Sequence, residues 1–225
     1  MSIEQKAADE FDRWQAQGRG ESMARGHRPV VEPVLDGWGL GPDSRVLDVG
    51  CGNGWAVRWM LERGAGAGHG VDISPSMVQE ASQGPGTFAV ASGERLPFDD
   101  GAFTHVLSVE SLYYYPSPAL ALKEWARVTA PGGHLGCVIE LFAENTGSAI
   151  WADVLDVHAH LLSEKEYLRL AEEAGWDARI ERIRRHGSPK PEAEFTPSKY
   201  WPRYDLYVEY FKQGALAITG TRRPS

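Results

Sequence analysis

The sequence predicts an α/β fold: a mostly parallel sheet covered by helices. Three observations lead there. From about Arg45 onward, short apolar runs alternate with amphipathic stretches. Each run is bounded by Gly, Pro, Asp or Ser, which read as turns. The first run leads directly into three alternating glycines and a helical pattern, and an acid closes the next run.

The chain has 225 residues, enough for one large domain or a core domain with a small addition. Residues 1–44 read as an N-terminal helical cover, with an amphipathic helix ending at Phe11 to Trp14. Gly18-Arg19-Gly20-Glu21 then leads to Met23 and Gly26-His27-Arg28-Pro29. This stretch is either part of the cover, with Arg19, Arg25 or His27 reaching a ligand, or a solvated connector. Residues 45–225 form the core. Its strand candidates are Arg45 to Val49, His69 to Ile73, Thr87 to Ala91, His105 to Val109 and His134 to Leu141.

Ser74-Pro75 and Ser117-Pro118 each place an N-cap hydroxyl before a proline at the first helical position. The second of these helices is expected to end before a Pro131-Gly132-Gly133 turn. Ser163 and Glu166 form a capping-box pattern whose helix stops at Gly175. Asp177 to Ile183 and Ala215 to Thr219 complete the sheet. Between them, residues 184–213 read as an insertion and a possible substrate lid: irregular around Pro189 to Pro197, then helical near Ser198 to Phe211.

Composition excludes several classes. With 23 Lys and Arg against 31 Asp and Glu, the formal net charge is −8, which disfavours a nucleic-acid backbone or an anionic membrane as the main partner. A hydrophobic content of 42% and a charged content of 24% exclude a disordered or collagen-like chain. No apolar run approaches the roughly 20 residues of a membrane span. Met1 to Arg13 has no apolar signal-peptide core, and the two cysteines, Cys51 and Cys137, form no disulfide framework, so the expected compartment is the cytoplasm.

The strongest chemical signal is Val46-Leu47-Asp48-Val49-Gly50-Cys51-Gly52-Asn53-Gly54, followed by Asp72 at the end of the second strand. Alternate glycines permit a turn that a ligand can approach without Cβ clashes. The carboxylate can accept hydrogen bonds from both hydroxyls of a ribose. Together they read as a site for a nucleoside-containing cofactor. A dinucleotide fingerprint requires G-x-G-x-x-G, but here Trp55 holds the third glycine's position.

These residues resemble the class I S-adenosylmethionine-dependent methyltransferases. Gly70-Val71-Asp72-Ile73-Ser74 is similar to the family's second motif, Leu96-Pro97-Phe98 with Phe103 to the segment after the third strand, and Val128-Thr129-Ala130-Pro131-Gly132-Gly133 to the approach to the fifth. The resemblance implies a Rossmann-like, doubly wound, mostly parallel seven-stranded sheet with helices on both faces and an antiparallel last strand. It also implies S-adenosylmethionine as cofactor. Gly50, Cys51 and Gly52 would line its methionine portion, with Asp48 beneath favouring the ammonium; Asp72 would bind the ribose, and Ile73 and Met77 would flank the adenine. Gly93 and Glu94 would lie near the adenine edge, and Val109 and Glu110 would face the methionine and sulfonium. Ser92 departs from the pattern, because that position commonly carries an Asp contacting the adenine amino group. Thr104 also departs from it, at a position where many relatives carry Asp and where no ligand is expected.

The motifs do not name the methyl acceptor. The fourth strand runs into Ser111-Leu112-Tyr113-Tyr114-Tyr115-Pro116 and lacks the Asn-Pro-Pro-Tyr type of signature of exocyclic or amide nitrogen methylation. A small molecule is the expected acceptor, and a protein acceptor stays open; neither nucleic acid nor membrane is expected. Tyr114 and His158 are the candidates for acceptor-side chemistry, since a general base is needed only if the acceptor must lose a proton. Tyr113, Tyr115, His160, Tyr200, Trp201, Tyr204 and Tyr207 are further aromatic candidates for an acceptor wall. No metal-ligand set is read. The alternatives are a non-catalytic S-adenosylmethionine sensor and a nicotinamide-dependent oxidoreductase. The sequence leaves the acceptor atom and the oligomeric state open.

Overall fold

The computed structural model describes residues 2–185 and 187–224; the side chains of residues 19–23 lie outside what is described. The chain opens with α1 (Ile3–Ala16), capped by Ser2, whose hydroxyl accepts from Gln5 N–H, and α2 (Arg19–Asp36). The stretch left open between cover and connector is thus helical, although Pro29 and Pro33 lie inside α2. An interior proline costs a helix roughly 3 kcal/mol. Burial of Val30, Val31, Val34 and Leu35 against the sheet offsets it.

The core alternates β1 (Arg45–Val49), α3 (Trp55–Glu62), β2 (Ala67–Asp72), α4 (Pro75–Ala81), β3 (Thr87–Val90), β4 (Phe103–Val109), α5 (Pro118–Val128) and β5 (Thr129–Ile139). Two short helices follow, α6 (Thr146–Ala149) and α7 (Trp151–Val154). The chain then forms α8 (Glu164–Glu173), β6 (Trp176–Ile183), α9 (Tyr204–Gln213) and β7 (Ala215–Arg222). The sheet has seven strands in the order β3-β2-β1-β4-β5-β7-β6, with β7 antiparallel to both neighbours. Strand alternation divides the core. Leu47 and Val49 pack with α5 and α8 on one face, and Val46 packs with α2 and α3 on the other.

Two boundaries differ from expectation in an informative way. The fifth strand begins at Thr129, paired with Phe103, and the Pro-Gly-Gly segment is an irregularity inside it, where the register against β4 shifts between Phe103 and His105. Proline supplies no ladder N–H, so it disturbs the ladder without ending the strand. The late helix starts at Tyr204 rather than near Ser198 because Pro202 interrupts it; residues 198–201 close instead on a turn in which Ser198 N–H donates to Trp201 C=O.

Topology places the ends of β1 and β4 at the switch point, where crossovers leave β1 in opposite directions and a crevice opens. Since β5 and β6 are both antiparallel to β7, they share a direction. The segment leaving β6 at Ile183 therefore starts at the same sheet end as that crevice. Among the described residues, no helix is long and apolar enough to cross a membrane.

Candidate active site

The turn after β1 is built by glycines at φ 80° (Gly50), 50° (Gly52) and 80° (Gly54). Gly50 cannot be replaced without displacement, because a Cβ there would lie 2.5 Å from the Ser111 Cβ. The turn is tied to β2: Gly50 and Cys51 N–H both donate to Val71 C=O, at 2.8 and 2.9 Å. Gly52 N–H donates to Asp72 Oδ2 and Ser74 N–H to Asp72 Oδ1, each at 2.9 Å. Each oxygen of Asp72 thus has one main-chain donor and keeps acceptor capacity for a ligand. Burial raises the Asp72 pKa, and the N–H groups of Ser74, Gly52 and Ile73 pull against that rise. Asp48 has no such help. Its Oδ1 is buried without a partner, and burial with repulsion from Asp72 pushes its pKa up to about 8.

A cavity of about 430 Å³ opens over this turn. Of the twelve residues expected at the cofactor, Gly50, Cys51, Gly52, Asp72, Ile73, Met77, Val109 and Glu110 line it. Asp48 lies behind the lining. Three others are engaged away from it. Ser92 donates to Glu4 of α1 at 2.5 Å, Gly93 C=O accepts from Trp125 Nε1 at 3.0 Å, and the Glu94 carboxylate accepts from Ser117 N–H at the start of α5. Ala91, the residue before Ser92, lines the cavity in their place.

Helix α1 lies across one side. Asp12 accepts from the hydroxyls of Ser74 and Ser76, both at 2.5 Å, and from Ser76 N–H at 3.3 Å. Burial alone would raise the Asp12 pKa, but these donors outweigh it and the net shift is downward. The contact brings Phe11 and Trp14 onto the cavity. Arg25 is exposed, and the Arg19 side chain falls outside the described residues.

The opposite wall comes from later elements. Glu110, just past β4, holds φ 55°, a conformation rare for a non-glycine residue and common at functional sites. Its N–H donates to Val138 C=O at 2.8 Å, and its Oε2 accepts from Tyr113 Oη at 2.7 Å, while Oε1 is buried without a partner. Burial, then repulsion from Glu140, raises its pKa well above the carboxylate range. Glu140, just past β5, accepts from Tyr210 Oη at 2.6 Å through Oε2 and pairs with Arg185 through Oε1. The Arg185 guanidinium also stacks over Tyr210, 4.5 Å from its ring centroid. His27 of α2 completes the group: one ligating atom each of His27, Glu110 and Glu140 lies within 4.8 Å of the others. Burial lowers the His27 pKa, and its Nδ1 has no partner.

Above these groups Trp151, Trp201 and Tyr210 form a ring cluster with centroids 5.0 to 5.5 Å apart. Gly147 is what brings α9 down to it, since a Cβ there would lie 2.2 Å from the Tyr210 nitrogen. Tyr113, Tyr114, Tyr115 and Tyr200 line the cavity, whereas Tyr204 and Tyr207 pack around Phe195 and do not. His158 is exposed and outside the lining; its Nε2 lies 3.3 Å from that of His160. Sequence reasoning missed Glu140, Arg185 and Tyr210. The one available signal was an acid ending a buried strand at Glu140, matching Glu110 one strand earlier.

Comparison with known proteins agrees with this architecture. The methyltransferase-domain family model matches residues 47–137. A putative methyltransferase of Haloferax volcanii, solved in complex with the Trm112 methyltransferase activator, superposes with a TM-score of 0.87 at 31% identity, covering 96% of this chain and 98% of that one. Among curated proteins, the methyltransferase GfsG of Streptomyces halstedii is 23% identical over 171 residues, covering 70% of this chain and 61% of that protein. The 2-methyl-6-phytyl-1,4-hydroquinone methyltransferase of Synechocystis is 32% identical over 155 residues, covering 57% of this chain and 49% of that protein. The chain therefore spans less than two thirds of these two relatives. With its motifs, its sheet order and a full-length structural relative in agreement, the chain belongs to the class I S-adenosylmethionine-dependent methyltransferase family.

Proposed function

We propose that the protein transfers a methyl group from S-adenosylmethionine to a small-molecule acceptor. One observation carries the reading: a single cavity joins the glycine turn and Asp72 to an aromatic and acidic wall contributed by later elements. When bound, the cofactor supplies an electrophilic methyl group on a sulfonium. The chain's own residues fit it. Gly50, Cys51 and Gly52 present backbone without obstruction, and Asp72 has acceptor capacity for two ribose hydroxyls. The orphaned Asp48 oxygen suits an ammonium, and Ile73 and Met77 offer apolar walls for adenine. Positioning and exclusion of water then supply much of the rate.

In this reading residues 1–44 are a cover over the cofactor and residues 184–213 a substrate lid. Phe11 and Trp14 support the first; Arg185, Tyr200, Trp201 and Tyr210 support the second. The hydroquinone acceptor in the name of the Synechocystis relative supports a small-molecule class. The Haloferax relative's complex motivates a second proposal, that this chain also binds a small activator protein; co-expression with a Trm112-type partner tests it, and separate elution of the two chains argues against it.

Calorimetry with S-adenosylhomocysteine tests the main reading. Micromolar or tighter binding is expected, and Asp72→Ala should weaken it on the order of 100-fold, the loss of two hydrogen bonds to a charged group. Absence of binding, or an unchanged affinity in the variant, would overturn it.

A further inference from the structure

The wall opposite the glycine turn has a charge pattern that selects a chemistry. Two carboxylates, Glu110 and Glu140, and one guanidinium, Arg185, face the same cavity. Both Glu140 oxygens are already used, one by Tyr210 and one by Arg185, and the Arg185 guanidinium is held between that carboxylate and the Tyr210 ring. Four atoms of this wall are buried without a hydrogen-bond partner: Glu110 Oε1 and His27 Nδ1, and the N–H groups Arg185 Nε and Trp201 Nε1. His27 and Glu110 each offer a ligating atom within 4.8 Å of the other. Once Glu110 ionises, the group carries one negative charge beyond the Glu140–Arg185 pair, a charge that burial and Glu140 resist while the site holds no cation. Tyrosine and tryptophan rings surround it. Burying such a set is costly unless a ligand completes it.

We propose that the methyl acceptor is an amine that enters as its ammonium and is seated by Glu110 and His27 beneath the Trp151, Trp201 and Tyr210 rings. This rests on the methyltransferase reading above and names the substrate class for that same site. An ammonium brings one positive charge and three N–H donors, which neutralises the group and satisfies Glu110 Oε1 and His27 Nδ1. The ring faces add cation–π attraction. A carboxylate or phosphate acceptor meets the Glu110 and Glu140 carboxyls, and the Arg185 guanidinium, already paired with Glu140, has only its Nε–H left to offer it. A divalent metal on the same three residues would place two positive charges beside Arg185 and compete with it for Glu140, which favours the monocation. Glu110 then has a chemical task as well as a binding one. Glu110 releases its own proton to solvent as the ammonium binds. The ammonium nitrogen then gives one proton to Glu110 Oε1 and keeps the electron pair of that N–H bond as its lone pair, and that proton passes to solvent when the product leaves. The raised Glu110 pKa matches a base that must take a proton from an amine.

The test is a binding comparison on protein saturated with S-adenosylhomocysteine, using three probes of one shape: tyramine, tyrosol and 3-(4-hydroxyphenyl)propionate. Tyramine should bind about 10- to 100-fold more tightly than tyrosol, the range of a hydrogen bond to a charged group, and the propionate more weakly than either. Glu110→Gln should erase the tyramine advantage and leave tyrosol binding in place. Tyramine binding no tighter than tyrosol, or an advantage that survives in Glu110→Gln, overturns the proposal. So does a Mn²⁺ titration showing a site that Glu110→Gln removes. Should the variant fail to fold, the ranking of the three probes on the natural protein still decides. Failure to bind S-adenosylhomocysteine at all would instead strike the methyltransferase reading.

Discussion

Asp48 is a residue at which the stability of the ligand-free protein should depend on pH. Its folded pKa of about 8 lies far above the ordinary 3.8, so the unfolded chain ionises first as pH rises. The stability associated with the protonated carboxyl is full below about pH 4 and declines until the folded group also ionises near pH 8. At about 1.4 kcal/mol per pKa unit the decline is on the order of a few kcal/mol. Asp48→Asn should flatten it, raising the melting temperature at pH 8 more than at pH 4; melts across that range check this, and an unchanged slope would show that the carboxyl is solvated. The same substitution should weaken S-adenosylhomocysteine, whose ammonium it can no longer pair. Gly50, two residues after Asp48, acts through its backbone conformation. Gly50→Ala forces a side chain to φ 80° and against Ser111, and should lower stability by about 1–3 kcal/mol and abolish cofactor binding, read by denaturant unfolding and calorimetry.

At the scale of elements, Asp12 ties α1 to the start of α4. Asp12 has a lowered pKa, so its clasp on Ser74 and Ser76 is present above the ordinary carboxylate value and is lost as pH falls through the folded one. Asp12→Ala removes hydrogen bonds to a charged group and should shift the opening of α1 by about tenfold, read as faster trypsin cleavage after the exposed Arg13. The strands, the capping-box helix and the glycine turn were legible in the sequence because each is dictated by local chemistry: apolar runs, a Ser163–Glu166 pair, alternating glycines. Glu110 was expected at the site, but the acidic wall it joins was not legible. Glu110, Glu140, Arg185 and Tyr210 come from separate parts of the chain and meet only because β4, β5 and β6 run in one direction and Gly147 lets α9 approach α6. For the same reason His158 looked suitable in isolation, whereas the chain carries it to the exterior. Helix α2 was hidden by Pro29 and Pro33, whose local cost is outweighed by burial of its valine face.

For the whole molecule, segments far apart in sequence line one cavity: Phe11 and Trp14 of α1, His27 of α2, and Arg185, Tyr200, Trp201 and Tyr210 from the late part of the chain. The sheet beneath them carries β7 between β5 and β6, and β1, β4 and β5, whose ends meet the site, are all interior strands. A ligand filling the cavity therefore stabilises two regions far apart in sequence while leaving the central ladder as it was. At one hundred times its dissociation constant, a ligand specific for the folded state adds about 2.7 kcal/mol, which for a chain of this size raises the melting temperature by roughly 5–11 °C. The increment should be nearly absent in Asp72→Ala. Hydrogen exchange should show where it resides. With S-adenosylhomocysteine bound, protection should rise in α1 and at the start of α4; an amine added on top should extend it to residues 184–213 and α6, and β1, β4 and β5 should change little. Protection confined to the sheet would mean that neither cover closes on its ligand, and the division of labour between a cofactor cover and an acceptor lid would have to be abandoned.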